Sequence, residues 1–272
     1  MGREHGRTSP RVTLYADPPS QRPRLDECLF YHSIELPGVG LQHGQWDLRP
    51  GIDAYLGGLD YRDLSVLEVG TANGFVCFEL ERRGARVVSV DLPALATYDT
   101  RPAANMHDIE TMRLGLERIR NAYWLAHSLF SASARVVYSH VNDLPEELGR
   151  FDVVVLANVL QHCRDPMGAV ISASRFADRV VITESDWIRA ERDDVARMTL
   201  FGGPSPFSWF QVTPFLLTTL LSELSYDDQD VTCHEQRLME DVDYEEGRGK
   251  PRRWDGRLVP HFTVVARRGT SG

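Results

Sequence analysis

The sequence predicts an α/β fold built on one doubly wound sheet of seven strands, mostly parallel, with an antiparallel strand at its C-terminal edge. Three observations carry that reading. From Val66 onward, short β-branched runs alternate with longer helical patterns. The first run, VLEVG, breaks into a glycine turn that opens directly onto a helix. The second run stops on an acid, Asp91, at the edge where ligands of open α/β sheets bind.

Ser65–Val69 is short and apolar, as befits a parallel strand buried on both faces. Gly70 to Gly74 gives a tight turn that lets a ligand approach the backbone. Phe75–Arg83 reads as a helix with basic residues in its last turn and Gly84 as its cap. Arg86–Val90 is the second strand, Arg135–His140 the third, Phe151–Ala157 the most apolar and therefore central one, and Arg179–Thr183 the fifth. Thr213-Pro214 starts a helix, with Thr as N-cap and Pro at the first helical position, and Leu216, Leu217, Leu220, Leu221 and Leu224 form its buried stripe. Two late strands near Asp230–Gln236 and Phe262–Ala266 complete the sheet as an antiparallel edge.

The chain divides into an N-terminal extension, residues 1–30, partly flexible, and a single domain, residues 31–272. Three segments exceed what the sheet needs. Residues 31–60 precede it and are rich in polar and aromatic groups. Residues 93–133 are too long for a simple crossover and hold a helical pattern over Asp108–Leu129, and residues 187–212 include FGGPSPFSWFQV, Phe201–Val212. Long connections that carry aromatics and glycine at a ligand edge act as lids or binding loops, so 31–60 is read as a lid segment and the other two as substrate-side insertions.

Composition narrows the partners. With 30 Lys and Arg against 39 Asp and Glu, the net charge is −9. A protein whose main ligand is a polyanion shows a basic excess or stripe, and here only short pairs such as Arg82-Arg83 and Arg252-Arg253 occur, so nucleic acid is set aside. No apolar run approaches the roughly 18 residues of a membrane span. MGREHGRTSPRV lacks the apolar core of a signal peptide and the Ser or Thr of a myristoylation signal. Cys28, Cys77, Cys163 and Cys233 are far apart and form no C-x-x-C, as expected of reduced thiols in a cytoplasmic protein.

The opening turn also discriminates among nucleotides. A dinucleotide site wants G-x-G-x-x-G, but here Ala72 takes the middle position and Glu68 stands two residues before Gly70. A carboxylate there repels a pyrophosphate and suits a cationic ligand. No G-x-x-x-x-G-K-[ST] is present for a phosphate loop. S-adenosyl-L-methionine, with its ammonium and sulfonium and a ribose whose hydroxyls suit Asp91, fits the pattern.

Glu68-x-Gly70-x-Ala72-x-Gly74 followed by Asp91 resembles the first two motifs of the class I S-adenosylmethionine-dependent methyltransferases, which are Rossmann-like. The order YHSIELP…WDLRP, LEVGTANGFVCFELERRGA, LQHCRDP and FGGPSPFSWF…TP is similar to one branch of them over residues 30–268. That branch is related to the bacterial wobble-uridine tRNA methyltransferase family and contains small-molecule enzymes of actinomycetes. The resemblance implies that Gly70, Thr71, Ala72, Asn73 and Gly74 surround the methionine part of the cofactor and that Glu68 orients it. It further implies that Asp91, with Leu92, holds the ribose, that Asn142 and Asp143 meet the adenine, and that Asn158 faces the transfer site. Trp46 and Arg49 are candidates to close over the methionine carboxylate.

Methyl transfer needs an aligned acceptor and, for a hydroxyl or ammonium, a base. His162 follows the central strand and is the candidate base, with His32, His43, His140, Glu184 and Asp186 in reserve. Asn158 stands where catechol-type enzymes would need a metal-binding carboxylate, so no metal is expected. The acceptor expected is a hydroxyl or amine of a small, natural-product-type molecule. A tRNA-modifying enzyme, a cofactor-binding pseudo-enzyme and a homodimer stay open as alternatives.

Overall fold

The computed structural model describes residues 13–93, 99–102, 106–187, 194–201, 207–239 and 256–269. The chain begins its regular structure with a hairpin, β1 (Ile34–Leu36) and β2 (Gly40–Gln42), then a two-residue strand β3 (Trp46–Asp47) and a short helix α1 (Ile52–Tyr55). The sheet proper follows: β4 (Ser65–Val69), α2 (Phe75–Arg82), β5 (Arg86–Asp91), α3 (Met106–Phe130), β6 (Arg135–Tyr138), β7 (Val153–Ala157), α4 (Pro166–Ser174) and β8 (Arg179–Ser185). A small hairpin, β9 (Met198–Leu200) with β10 (Phe210–Val212), leads into α5 (Pro214–Glu223) and two long strands, β11 (Asp228–Leu238) and β12 (Arg257–Arg267).

Among the described residues the main sheet has eight strands in the order β3-β11-β12-β8-β7-β4-β5-β6. The five from β8 to β6 are parallel, and β12 joins β8 antiparallel. The expected seven strands are all present, and the count is corrected by one. The additional strand is β3, which pairs with Arg237 and Leu238 outside β11, so the C-terminal pair lies one place in from the rim. Two residues carry no readable periodicity, and the partners of β3 come near the end of the chain.

Strand alternation divides the core. Val66, Val155 and Val181 face α2, α3 and the N-terminal segment, against Phe78, Tyr123 and Tyr55. Leu67, Val69, Leu156 and Ile182 face α4 and α5, against Val170, Leu217 and Leu221. Both faces are covered, as a parallel sheet requires. Thr213 is the N-cap expected, accepting from the amide of Leu216 with Pro214 behind it; Asp165 caps α4 in the same way, accepting from Gly168. Part of the extension is tied to the domain: Ala16 donates to Val136 O at 2.8 Å, and Leu29 to Arg118 O at 3.0 Å.

From β4 the chain moves outward through β5 and β6, then crosses back to β7 and β8 on the other side. Strand order therefore reverses between β4 and β7, and the carboxyl ends of those strands open the crevice where such sheets bind ligands. Among the described residues no helix is long and apolar enough to cross a membrane.

Candidate active site

At the reversal point, β4 runs into the turn Gly70–Gly74. Gly70 (φ +83°), Ala72 (φ +48°) and Gly74 (φ +86°) are all left-handed. Gly70 is required for a second reason: a Cβ there would stand 2.5 Å from Cγ2 of Val159, so the turn lies directly against the loop that follows β7. Gly70 N–H bonds Val90 O at 2.8 Å and fastens the turn to β5.

Asp91 finishes that fastening. Its Oδ2 accepts from Ala72 N at 3.1 Å and its Oδ1 from Leu92 N at 2.7 Å. The side chain is partly exposed yet closely surrounded; desolvation pushes its pKa up to about 6 against the pull of those amides and of Arg120. Arg120 donates to Leu92 O at 2.7 Å and lies 4.2 Å from the centre of the Tyr138 ring. A carboxylate has about four acceptor sites, so each oxygen of Asp91 keeps capacity for a ligand hydroxyl.

Glu68 lies beneath the turn, 1% exposed. Burial pushes its carboxyl up to about 7, the hydroxyls of Ser89 and Thr71 oppose the shift, and Asp91 adds to it. Glu68 Oε2, Thr71 Oγ1 and Ser89 Oγ are all buried without a hydrogen-bond partner. The two hydroxyls are thus near enough to be felt by the carboxylate but not in bonding geometry. Orphan oxygens around a buried acid are the complement of a hydrogen-bond donor carrying positive charge.

Asn73 is turned away from the crevice. Its Oδ1 accepts from His32 N at 2.7 Å and its Nδ2 donates to His32 O at 3.1 Å, which pins the N-terminal segment to the turn. Asn142 donates from Nδ2 to Asp165 O at 3.1 Å, and its Oδ1 is buried and unpartnered. Asp143 is exposed. Asn158 sits at φ +60°, and its Oδ1 accepts from Ser185 N at 3.1 Å. Trp46 is a buried strand residue, edge-on to His261 (5.4 Å) and Trp187 (6.5 Å). Arg49 commits Nε and Nη2 to Asp47 at 2.7 and 2.9 Å.

His162 closes the turn after β7. Its Nδ1 is 2.9 Å from Phe207 O. A carbonyl only accepts, so Nδ1 carries the proton and Nε2 keeps its lone pair. Desolvation lowers the pKa of His162, with the bond to Phe207 opposing, so the ring is neutral near pH 7. Of the reserve residues, His32 is buried with its pKa lowered to about 3, and His140 caps its own turn through Asn142 N at 3.2 Å. Desolvation lowers His43, and Asp186 bonds Pro260 O through its amide at 2.8 Å. Glu184 is buried and accepts from Leu160 N at 2.8 Å.

The insertions meet above the crevice. Trp209 donates its amide to Gln161 O at 2.7 Å and its indole N–H to the carbonyl of Asp99. Asp99 accepts from Arg164 N at 2.8 Å and lies 3.2 Å from its guanidinium, while Arg101 donates to Phe201 O at 3.0 Å. Asp99, Arg164 and Gln161 carry no sequence signal; only the cluster of aromatics beside Trp209 hinted at a closure. The remaining parts of the insertions, residues 94–98, 103–105, 188–193 and 202–206, lie outside the described residues, as do residues 1–12 of the extension.

A doubly wound sheet with a glycine turn after its first parallel strand, an acid under that turn and another at the end of the next strand defines the class I methyltransferase fold. Residues 67–179 match the model of a methyltransferase-domain family. The fold is shared with the N-terminal domain of EvdMO1, crystallised in the presence of S-adenosylhomocysteine (SAH) and D-fucose: 17% identity over 88% of this chain and 91% of that one, TM-score 0.54. Against the full-length EvdMO1 structure the match covers 85% of this chain and 42% of that one, at TM-score 0.50. YcgJ of Bacillus subtilis matches at 12% identity over 79% and 97%, TM-score 0.53. No curated protein matches the chain in sequence.

Proposed function

We propose that this protein is an S-adenosyl-L-methionine-dependent methyltransferase acting on a hydroxyl or amine of a small-molecule, natural-product-type acceptor. The observation that carries the cofactor is the pair of acids at the turn: Glu68, buried with Oε2 unpartnered, and Asp91, with one oxygen on the turn amide of Ala72, the other on the amide of Leu92, and acceptor capacity left over. The anionic pyrophosphate of a dinucleotide is repelled by a carboxylate at Glu68, whereas an ammonium is attracted to it. The EvdMO1 domain crystallised with S-adenosylhomocysteine supports the same choice.

When bound, S-adenosylmethionine supplies an electrophilic methyl group that needs no further activation. The chain's residues do the rest. Gly70, Thr71, Ala72 and Gly74 present backbone to the methionine part, and Glu68 holds its ammonium. Asp91 takes the ribose hydroxyls beside Leu92, Asn142 Oδ1 and Asp143 offer acceptors to the adenine amino group, and Arg49 and Trp46 cover the methionine end. Asn73 holds the turn through His32, and Asn158 fixes the end of β7 through Ser185. His162, with its Nε2 lone pair, removes the acceptor proton, worth about 100- to 10,000-fold where a proton must leave. The net charge of −9 and the aromatic insertions favour a small acceptor over tRNA.

Calorimetry with S-adenosylhomocysteine tests the reading. Asp91→Ala weakens binding by about 1.5–3 kcal/mol, the worth of hydrogen bonds to a charged group. Unchanged affinity removes Asp91 from the site, and NAD binding at millimolar affinity or tighter overturns the cofactor.

A further inference from the structure

Glu184, the penultimate residue of β8, is 2% exposed, yet no cation contacts it among the described residues. Its neighbours are instead backbone amides. Oε1 accepts from Leu160 N at 2.8 Å, and the amides of Gln161 and Val159 also bear on the carboxyl. These three residues and His162 form the single turn that follows β7. The turn is tied to β8 a second time, because Asn158 N donates to Thr183 O at 2.6 Å and Asn158 Oδ1 accepts from Ser185 N. On its outer side it carries the insertions: His162 Nδ1 meets Phe207 O, and Gln161 O receives the amide of Trp209. On its inner side Val159 packs against Gly70 of the cofactor turn.

A carboxylate buried without a cation costs stability, and a single hydrogen bond to Leu160 could be supplied by the neutral amide of glutamine. What glutamine lacks is a second accepting oxygen, because its amide nitrogen only donates. The chain keeps the costly group where its Oε1 takes the amide of Leu160 in the acceptor-side turn.

We propose that Glu184 is a positioning residue for methyl transfer: it holds the Val159–His162 turn against β8, and through that turn it sets the place of His162 and the seat of the β9–β10 hairpin. This rests on the methyltransferase reading of the site. Burial pushes the Glu184 carboxyl up to about 8, with the three amides opposing, which agrees with a group held for geometry at the expense of stability.

The test uses the full chain with S-adenosylhomocysteine added, in wild type, Glu184→Ala and Glu184→Gln. Amide exchange is followed at Leu160, Gln161, His162 and Trp209, with Gly70 and Leu92 as internal references, and the His162 imidazole is titrated by NMR. In Glu184→Ala the four turn and hairpin amides exchange roughly tenfold faster or more while the references hold. The His162 midpoint, lowered in wild type by enclosure, rises toward its ordinary 6.5. Glu184→Gln keeps Leu160 protected, exposes Gln161 and returns the His162 midpoint most of the way. A His162 midpoint identical in all three proteins overturns the proposal, as does faster exchange spread equally to Gly70 and Leu92. If Glu184→Ala does not fold, Glu184→Gln decides alone: wild-type exchange at Gln161 overturns it. Failure of wild type to bind S-adenosylhomocysteine would sink the functional reading instead, and the exchange result would still stand on its own.

Discussion

Asn73 and His32 are joined by two reciprocal hydrogen bonds, side chain to main chain, at 2.7 and 3.1 Å, and both residues are buried. The cofactor turn and the N-terminal segment are therefore one unit. Asn73→Ala strands an N–H and a C=O of His32 away from water, each costing about 1–3 kcal/mol. We expect a loss on the order of 3 kcal/mol in urea unfolding, with weaker S-adenosylhomocysteine binding alongside. A loss under about 1 kcal/mol would mean that the segment reseats itself without Asn73.

Glu68 makes stability depend on pH. Its folded pKa of about 7 lies above the ordinary 4.5, so between those values the unfolded chain has released a proton that the native state keeps. Native stability therefore falls as pH rises from about 4.5 to 7 and levels off above that. Glu68→Gln removes this slope. At pH 8 the variant should exceed wild type by something on the order of 3 kcal/mol, and at pH 4 the two should coincide. If Glu68 holds the cofactor ammonium as proposed, the same variant should also lose affinity for S-adenosylhomocysteine. Thermal melts at the two pH values check the first claim; parallel curves for the two proteins would contradict it.

How much of this was legible in the sequence followed the range of the interactions. β4, α2 and β5 were placed to within a residue, because a glycine turn between an apolar strand and a helix is local chemistry, and β5 does end at Asp91. The partner of Asn73, by contrast, is 41 residues away, and nothing at His32 announces it. Trp46 read as part of a lid segment because a two-residue strand has no pattern of its own; only Arg237 and Leu238 across the ladder make it one. Asp99 and Arg164 carry no local signal for the same reason: their contacts are with each other and with Trp209, far apart in sequence.

The clasp of Trp209, Asp99 and Arg164 should open before the core does. Asp99→Ala removes the bonds to Arg164 but leaves the Asp99 carbonyl to the Trp209 indole, so the hairpin is loosened and not lost. Limited proteolysis within residues 194–212 should be slowed by S-adenosylhomocysteine in wild type and accelerated severalfold by Asp99→Ala, because cleavage follows the open population. Equal rates in all samples would make these segments plain surface.

His162 offers the sharpest kinetic separation. Its Nδ1 proton is committed to Phe207 O, so Nε2 is the free base, and its lowered pKa keeps that nitrogen unprotonated through neutral pH. A rate limited by His162 should therefore be flat near pH 7 and fall only on the acid side of 6.5, with the limb lost in His162→Ala. On the cognate acceptor the alanine variant should lose about 100- to 10,000-fold in turnover while keeping its affinity for S-adenosylhomocysteine. His162→Asn provides the control for the bond to Phe207, since its amide can donate to that carbonyl but cannot take a proton. If the asparagine variant restores turnover to within about tenfold of wild type, His162 braces the loop and transfer proceeds by alignment alone, as it can for an acceptor already deprotonated at neutral pH.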